Sequence, residues 1–237
     1  ALLMSAENLN DDFSQRVVMR TSEMDFVSSG QTATVERKRV YRAGDQESGA
    51  VTSVVRYLPG AAFPSHPHPQ GEEIYIIDGV FSDARGDHKA GTFLFNPEGW
   101  QHAPSSEGGN TILVRLRQYP TVGTPRAQRS VDTTKMPWVV AGCVEEKVLY
   151  PLDGDESYPE RQWLEKWSAV PPKRPVGEYG LEIFVLEGTF EDSAGSYKPG
   201  DWIRLPAGVF EPTVAEDVVL LCKSGGFQYA VPESVKA

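Results

Sequence analysis

Three of the chain's four histidines share one pattern with an acid. It runs Gly60, five residues, His66-Pro67-His68, three residues, Glu72, six residues, Gly79. A second pattern follows: Gly91, five residues, Pro97-Glu98-Gly99, two residues, His102. Residues two apart on a strand face one side, so His66 and His68 share a face. Glu72 can join them after the Pro69-Gln70-Gly71 bend, and His102 can arrive from a neighbouring strand pair. Three imidazoles and a carboxylate make a hard-to-borderline ligand set for one divalent metal that suits Zn, Fe, Mn, Ni or Co. Four protein ligands can close a tetrahedral zinc site, or leave positions open on a six-coordinate ion for a small-molecule ligand or oxygen. Glu73 is the rival carboxylate, but its parity sets it on the opposite face if the strand begins there. His88 lies outside both patterns and reads as an ordinary surface or core histidine. Trp100 is placed to wall a pocket or to pack as a lid aromatic.

The elements that must hold these residues are strands, and the chain contains them twice. Gly71–Asp83 recurs as Gly180–Asp192, and the match continues from Gly86 to Gly195, Gly91 to Gly200, Pro97 to Pro206 and Gly99 to Gly208, always 109 residues on. Upstream, Gln15-Arg16-Val17-Val18 is echoed by Gln128-Arg129-Ser130-Val131 at a slightly larger offset. The join falls in the Pro/Gly-containing stretch at Thr121–Pro125, giving domains at 1–123 and 124–237. Runs such as Ala50–Leu58, Ile74–Ile77, Thr92–Phe95 and Thr111–Arg117 are rich in β-branched and aromatic residues between turn formers. Asp78-Gly79 between two such runs reads as a hairpin turn. Ala33–Arg42 has strand length, with Glu36–Arg39 read as a solvated face, and Glu160–Trp167 is either two helical turns or a charged edge strand. In the second copy the ligand positions carry Pro175, Gly177, Leu181 and Glu211, which predicts a second domain without this metal site.

Both histidine patterns resemble the two motifs of the cupin superfamily. That resemblance implies an all-β chain of two tandem cupin barrels, the double-stranded β-helix or jelly-roll fold. His66–Asp83, with Gly86-Asp87 and Gly99–Pro104, is similar to the cupin domain of ChrR-type anti-sigma proteins and their stand-alone relatives. The likeness implies a zinc-binding cupin that senses singlet oxygen or organic peroxide stress, with His66, His68, Glu72 and His102 as ligands. Such anti-sigma factors restrain their sigma factor through a separate N-terminal helical zinc domain. The residues ahead of this first cupin hold neither His nor Cys, so sigma-factor binding does not carry over. A second reading is an iron dioxygenase similar to the acetylacetone-cleaving cupins, acting on a small dicarbonyl, with Glu72 as ligand or nearby base. Arg115 and Arg117 would share a face, either as a cation for an anionic substrate or, preferred here, as a salt-bridged outer face. No catalytic residue is assigned.

Composition narrows the rest. A net charge of −10 over 237 residues argues against nucleic acid as a partner, since phosphate binding needs a surplus of Lys and Arg. No apolar run reaches the ~18 residues of a membrane span, and Ala1-Leu2-Leu3-Met4 is too short for a signal peptide. Two distant cysteines, Cys143 and Cys222, form neither a metal pair nor a disulfide framework and read as small buried residues. The expectation is a cytoplasmic homodimer that takes a small-molecule ligand at its metal.

Overall fold

The computed structural model describes residues 8–29, 32–44, 48–152, 157–168, 171 and 173–227. Ala1–Met4 lies outside them. Its regular elements are strands, with short 3-10 turns at Thr21–Glu23 and Thr133–Lys135. No helix among the described residues is long and apolar enough to cross a membrane.

Two compact units form, and their sheets repeat each other strand for strand. In the first, the order is Arg129–Asp132, Thr92–Asn96, Glu72–Asp83, Asn110–Leu116, Ala50–Tyr57, Val35–Ala43, Val27–Ser28. In the second it is Val17–Arg20, Asp201–Leu205, Leu181–Glu187, Val218–Ser224, Arg161–Trp167, Val144–Tyr150, Val139–Ala141. The neighbouring strands run antiparallel. The Glu160–Trp167 segment thus resolves as an interior strand over Arg161–Trp167, flanked on both sides.

The units do not follow a single cut through the chain. Asp12–Glu23 belongs to the second unit, where Val17–Arg20 pairs with Asp201–Leu205, and Arg129–Asp132 belongs to the first, pairing with Thr92–Asn96. The two upstream echoes are therefore reciprocal: each copy's leading strand lies in the other copy's sheet. The same latch ends both. Thr21 Oγ1 donates to the Gly200 carbonyl at 2.6 Å, and Thr133 Oγ1 to the Gly91 carbonyl at 2.6 Å. A boundary at 123/124 describes the chain order, whereas the compact units exchange a strand.

Period-two alternation sets the core of the first unit. Val55 and Tyr57, Ile74 and Ile76, and Ile112 and Val114 face inward together. Full burial of each such side chain is worth about 1.5–3 kcal/mol. Asp78-Gly79 is not a hairpin turn. Glu72–Asp83 runs through it as one strand, slipping register where Thr111 faces Asp78 but Ile112 faces Ile76. Beyond the slip, Phe81 pairs with His88. Gly79 has φ 76°, and a Cβ there would lie 2.3 Å from the Gly109 carbonyl oxygen, so the bulge requires glycine. The actual hairpin turns later, between Asp83 and Gly86.

Candidate metal centre

His66 and His102 sit directly opposite each other on two short paired strands, His66–Pro67 and Gln101–His102. The ladder continues as the His68 amide donates to the Trp100 carbonyl at 3.0 Å. Gln70 and Gly71, at φ 56° and 73°, then turn the chain into the strand that begins with Glu72. A Cβ on Gly71 would press to 3.0 Å against Tyr119 Cβ, so this tight return favours glycine. The three rings converge, with centroids 4.8 Å apart for His66 and His68, 4.7 Å for His68 and His102, and 5.5 Å for His66 and His102. Their candidate ligand nitrogens lie within 4.8 Å of one another.

That cluster consists of the three histidines, and Glu72 stands beside it. Its Oε2 is 3.5 Å from both His68 Nε2 and His102 Nε2, and it accepts a 2.9 Å hydrogen bond from Asn96 Nδ2. Glu73 points the other way, to Arg115 and the Tyr119 hydroxyl.

The outer ring nitrogens are engaged in a way that suits a cation. His66 Nδ1 donates to the Pro64 carbonyl at 3.0 Å, and His102 Nδ1 faces Asp83 Oδ2 at 3.3 Å. With the proton on Nδ1, each Nε2 keeps its lone pair for a metal. His68 Nε2 is buried without a hydrogen-bond partner. An orphaned buried nitrogen is costly unless something binds it. Burial pushes the His68 pKa down to about 4, aided by the neighbouring histidines and opposed by Glu72, which keeps the ring neutral as a ligand must be. The residues present fit a divalent ion.

Behind His102 stands Asp83. It accepts from His88 Nε2 at 3.1 Å and from Arg85 Nε at 3.0 Å as well. Burial alone would raise this carboxyl, but the bonds from His102, His88 and Arg85 outweigh it and hold the group far below the usual carboxylate range. His88 is thus a neighbour of the site through Asp83. Trp100 does not wall the cavity; its ring lies under the Arg85 guanidinium at 5.3 Å.

The histidines open onto a cavity of about 150 Å³ in the first unit. Val55, Ile74, Phe81, Ile112 and Val114 supply apolar wall, and Tyr57 adds a phenol kept neutral as burial raises its pKa. Arg37, Arg39 and Arg117 also line it. The Glu36–Arg39 run is therefore divided by alternation. Glu36 takes Arg56 at 2.6 Å and Lys38 covers Phe26 at 4.1 Å on one face, while Arg37 and Arg39 turn to the cavity. The signal lay in the period-two spacing of Val35, Arg37 and Arg39. Arg115 and Arg117 do not share a face, because Arg117 takes φ 57° and breaks the alternation.

In the second unit the corresponding interior is built differently. Pro175, Gly177 and Leu181 stand in line with the first unit's ligands, and Glu211 pairs with Lys173 at 2.5 Å on the surface. Strand pairing puts Glu165 where the first unit has Val55. Fully buried, Glu165 accepts from Trp163 Nε1 at 2.7 Å, Trp167 Nε1 at 2.5 Å and Arg174 Nη1 at 2.7 Å. Cys222 is buried beside this pair, whereas Cys143 is exposed, contrary to the expectation that both are buried.

All-β units with paired histidine strands and a neighbouring carboxylate define a cupin. Residues 14–120 match the family model of the ChrR Cupin-like domain. No curated protein matches the sequence. Among solved structures, a proposed dioxygenase from Nostoc punctiforme superposes with a TM-score of 0.73 at 15% identity, covering 93% of this chain and 85% of that one. A proposed glyoxylate-induced protein from Pseudomonas aeruginosa gives 0.69 at 12% identity, covering 88% of each chain. Oxalate decarboxylase from Bacillus subtilis gives 0.57 at 12% identity, covering 87% of this chain and 76% of its own. At these identities the likeness establishes the shared fold.

Proposed function

We propose that the first unit is a metal-dependent cupin that receives a small organic ligand at its ion, and that its reaction is an oxygenation. The observation carrying this reading is that the histidine group opens directly onto a cavity lined by both apolar and charged side chains. His66, His68 and His102 would hold the ion, with Glu72 as fourth ligand or as a base. A divalent ion would supply Lewis acidity toward a ligand carbonyl or enolate oxygen and, if it is iron, the means to use dioxygen. The chain's own part is separate. Val55, Ile74 and Ile112 exclude water from the ligand, Asn96 fixes the Glu72 carboxylate, and Asp83 fixes the His102 ring. Glu72 is placed to take a proton from an acidic carbon of a bound ligand. The proposed dioxygenase from Nostoc punctiforme shares this fold, which makes the chemistry a reasonable first assay.

A zinc sensor like the ChrR proteins is the second reading. It is favoured by the position of Glu72 Oε2, 3.5 Å from two imidazole nitrogens, since a four-ligand set suits closed zinc. Metal analysis of protein purified without added metal, followed by oxygen uptake after loading with Fe(II), separates the two. Oxygen consumption with a small dicarbonyl supports the enzyme. Full zinc occupancy with no oxygen uptake in the iron-loaded protein supports the sensor.

A further inference from the structure

We propose that the Tyr57 hydroxyl binds the ligand of this cavity, donating to a carbonyl or enolate oxygen while a second ligand oxygen faces the metal group. The inference rests on the metal reading above and adds a contact residue and the class of molecule. Tyr57 lines the cavity together with the histidines and is only 7% exposed. Among the described residues its hydroxyl has no hydrogen-bond partner. A buried phenol ordinarily finds one. Tyr119 and Tyr197, at least as buried, do: the Tyr119 hydroxyl donates to Glu73 and the Tyr197 hydroxyl to Asp192. An oxygen-bearing ligand would complete at Tyr57 what a carboxylate completes at the other two.

The ring is held where that contact can be made. Tyr57 follows Val55 on the inward face of Ala50–Tyr57. It packs edge-on between Phe63, with centroids 6.1 Å apart, and Phe81, at 5.8 Å. Each of those rings leans in turn on a histidine, Phe63 on His66 at 5.8 Å and Phe81 on His102 at 5.8 Å. The phenol is thus one aromatic ring removed from the metal group on both sides. Burial raises its pKa to about 13, with the Glu72 charge adding to the rise and Arg37 opposing it. The hydroxyl therefore keeps its proton and remains a donor. A space of about 150 Å³ is the size that takes a benzene-sized guest, which limits the ligand to about six or seven heavy atoms. Val55 and Ile112 meet its carbon skeleton, and the phenol supplies a fixed polar point among them.

The test measures acetylacetone binding by calorimetry on the full chain loaded with zinc, so that no turnover intervenes. Tyr57→Phe deletes the hydroxyl and keeps the ring between Phe63 and Phe81. The expected result is a loss of affinity of at least about fivefold, the size of one hydrogen bond, with zinc stoichiometry unchanged. Because the hydroxyl bonds nothing among the described residues, the ligand-free melting temperature of Tyr57→Phe is expected to equal or exceed that of wild type. A hydroxyl with a structural role would lower it, and that result would overturn the proposal, as would wild-type affinity in the variant. Zinc-loaded wild-type protein that binds no acetylacetone would overturn it too. Failure of the metal reading shows separately, as wild-type protein that takes up no zinc. In such protein, acetylacetone binding that depends on the hydroxyl would still support the contact, whereas binding indifferent to it, or none, would overturn it.

Discussion

Glu72 and Glu73 are consecutive carboxylates that serve opposite faces of one strand. Glu72 faces His68 and His102, whereas Glu73 is enclosed by Arg115 and Tyr119. Glu72→Gln is expected to keep the fold and lose metal after dialysis against a chelator. Glu73→Gln is expected to keep metal stoichiometry and lose roughly 3–5 kcal/mol of stability, because the buried Arg115 loses the Glu73 carboxylate. Metal content and urea unfolding on both variants check this, and identical behaviour would contradict the division of labour.

Asp83 would act on a bound metal through His102. Replacing it with Ala frees the ring and is expected to lower metal affinity about 10–100-fold in chelator competition. His88→Gln, which alters a bond to Asp83 and leaves the Asp83–His102 contact in place, should stay near wild type. Equal losses in the two variants would show that Asp83 merely supports local structure.

The second unit's Glu165–Arg174 pair is expected to be structural. Arg174→Met leaves Glu165 buried among two indoles and should cost about 3–5 kcal/mol without altering metal content. Denaturant unfolding with metal analysis reads both quantities, and a fall in bound metal without a fall in stability would contradict this.

Burial pushes the Cys222 thiol well above its ordinary value. The folded state therefore holds its proton while the unfolded chain releases it near pH ~8.5. Stability from this group is complete below that value and falls as pH rises through it. Urea midpoints measured between about pH 7.5 and pH 10 should decline, with a shallower decline in Cys222→Ala. In native protein a thiol reagent should modify Cys143 alone.

The metal group was legible because its spacing is local: His66, His68 and Glu72 lie within one turn of chain, and His102 follows a recognisable loop. Duplication was equally plain from glycines and prolines held in register. The exchanged strands were hidden, since nothing in Val17–Arg20 or Arg129–Asp132 specifies which of two similar sheets it joins. Asp78-Gly79 misled because the dihedrals that suit a two-residue turn also suit a bulge. Arg37, Arg39 and Glu165 were missed for a shared reason. Charged residues ordinarily face water, and only their partners across the sheet reveal that these three face inward.

Metal analysis of the wild-type chain beside His68→Ala and His102→Ala tests the central claim most directly. The expected result is one tightly held divalent ion per wild-type chain and its loss from both variants, with circular dichroism unchanged. Variants that retain the wild-type ion would contradict the account, as would a wild-type chain that binds none when zinc, iron and manganese are each supplied.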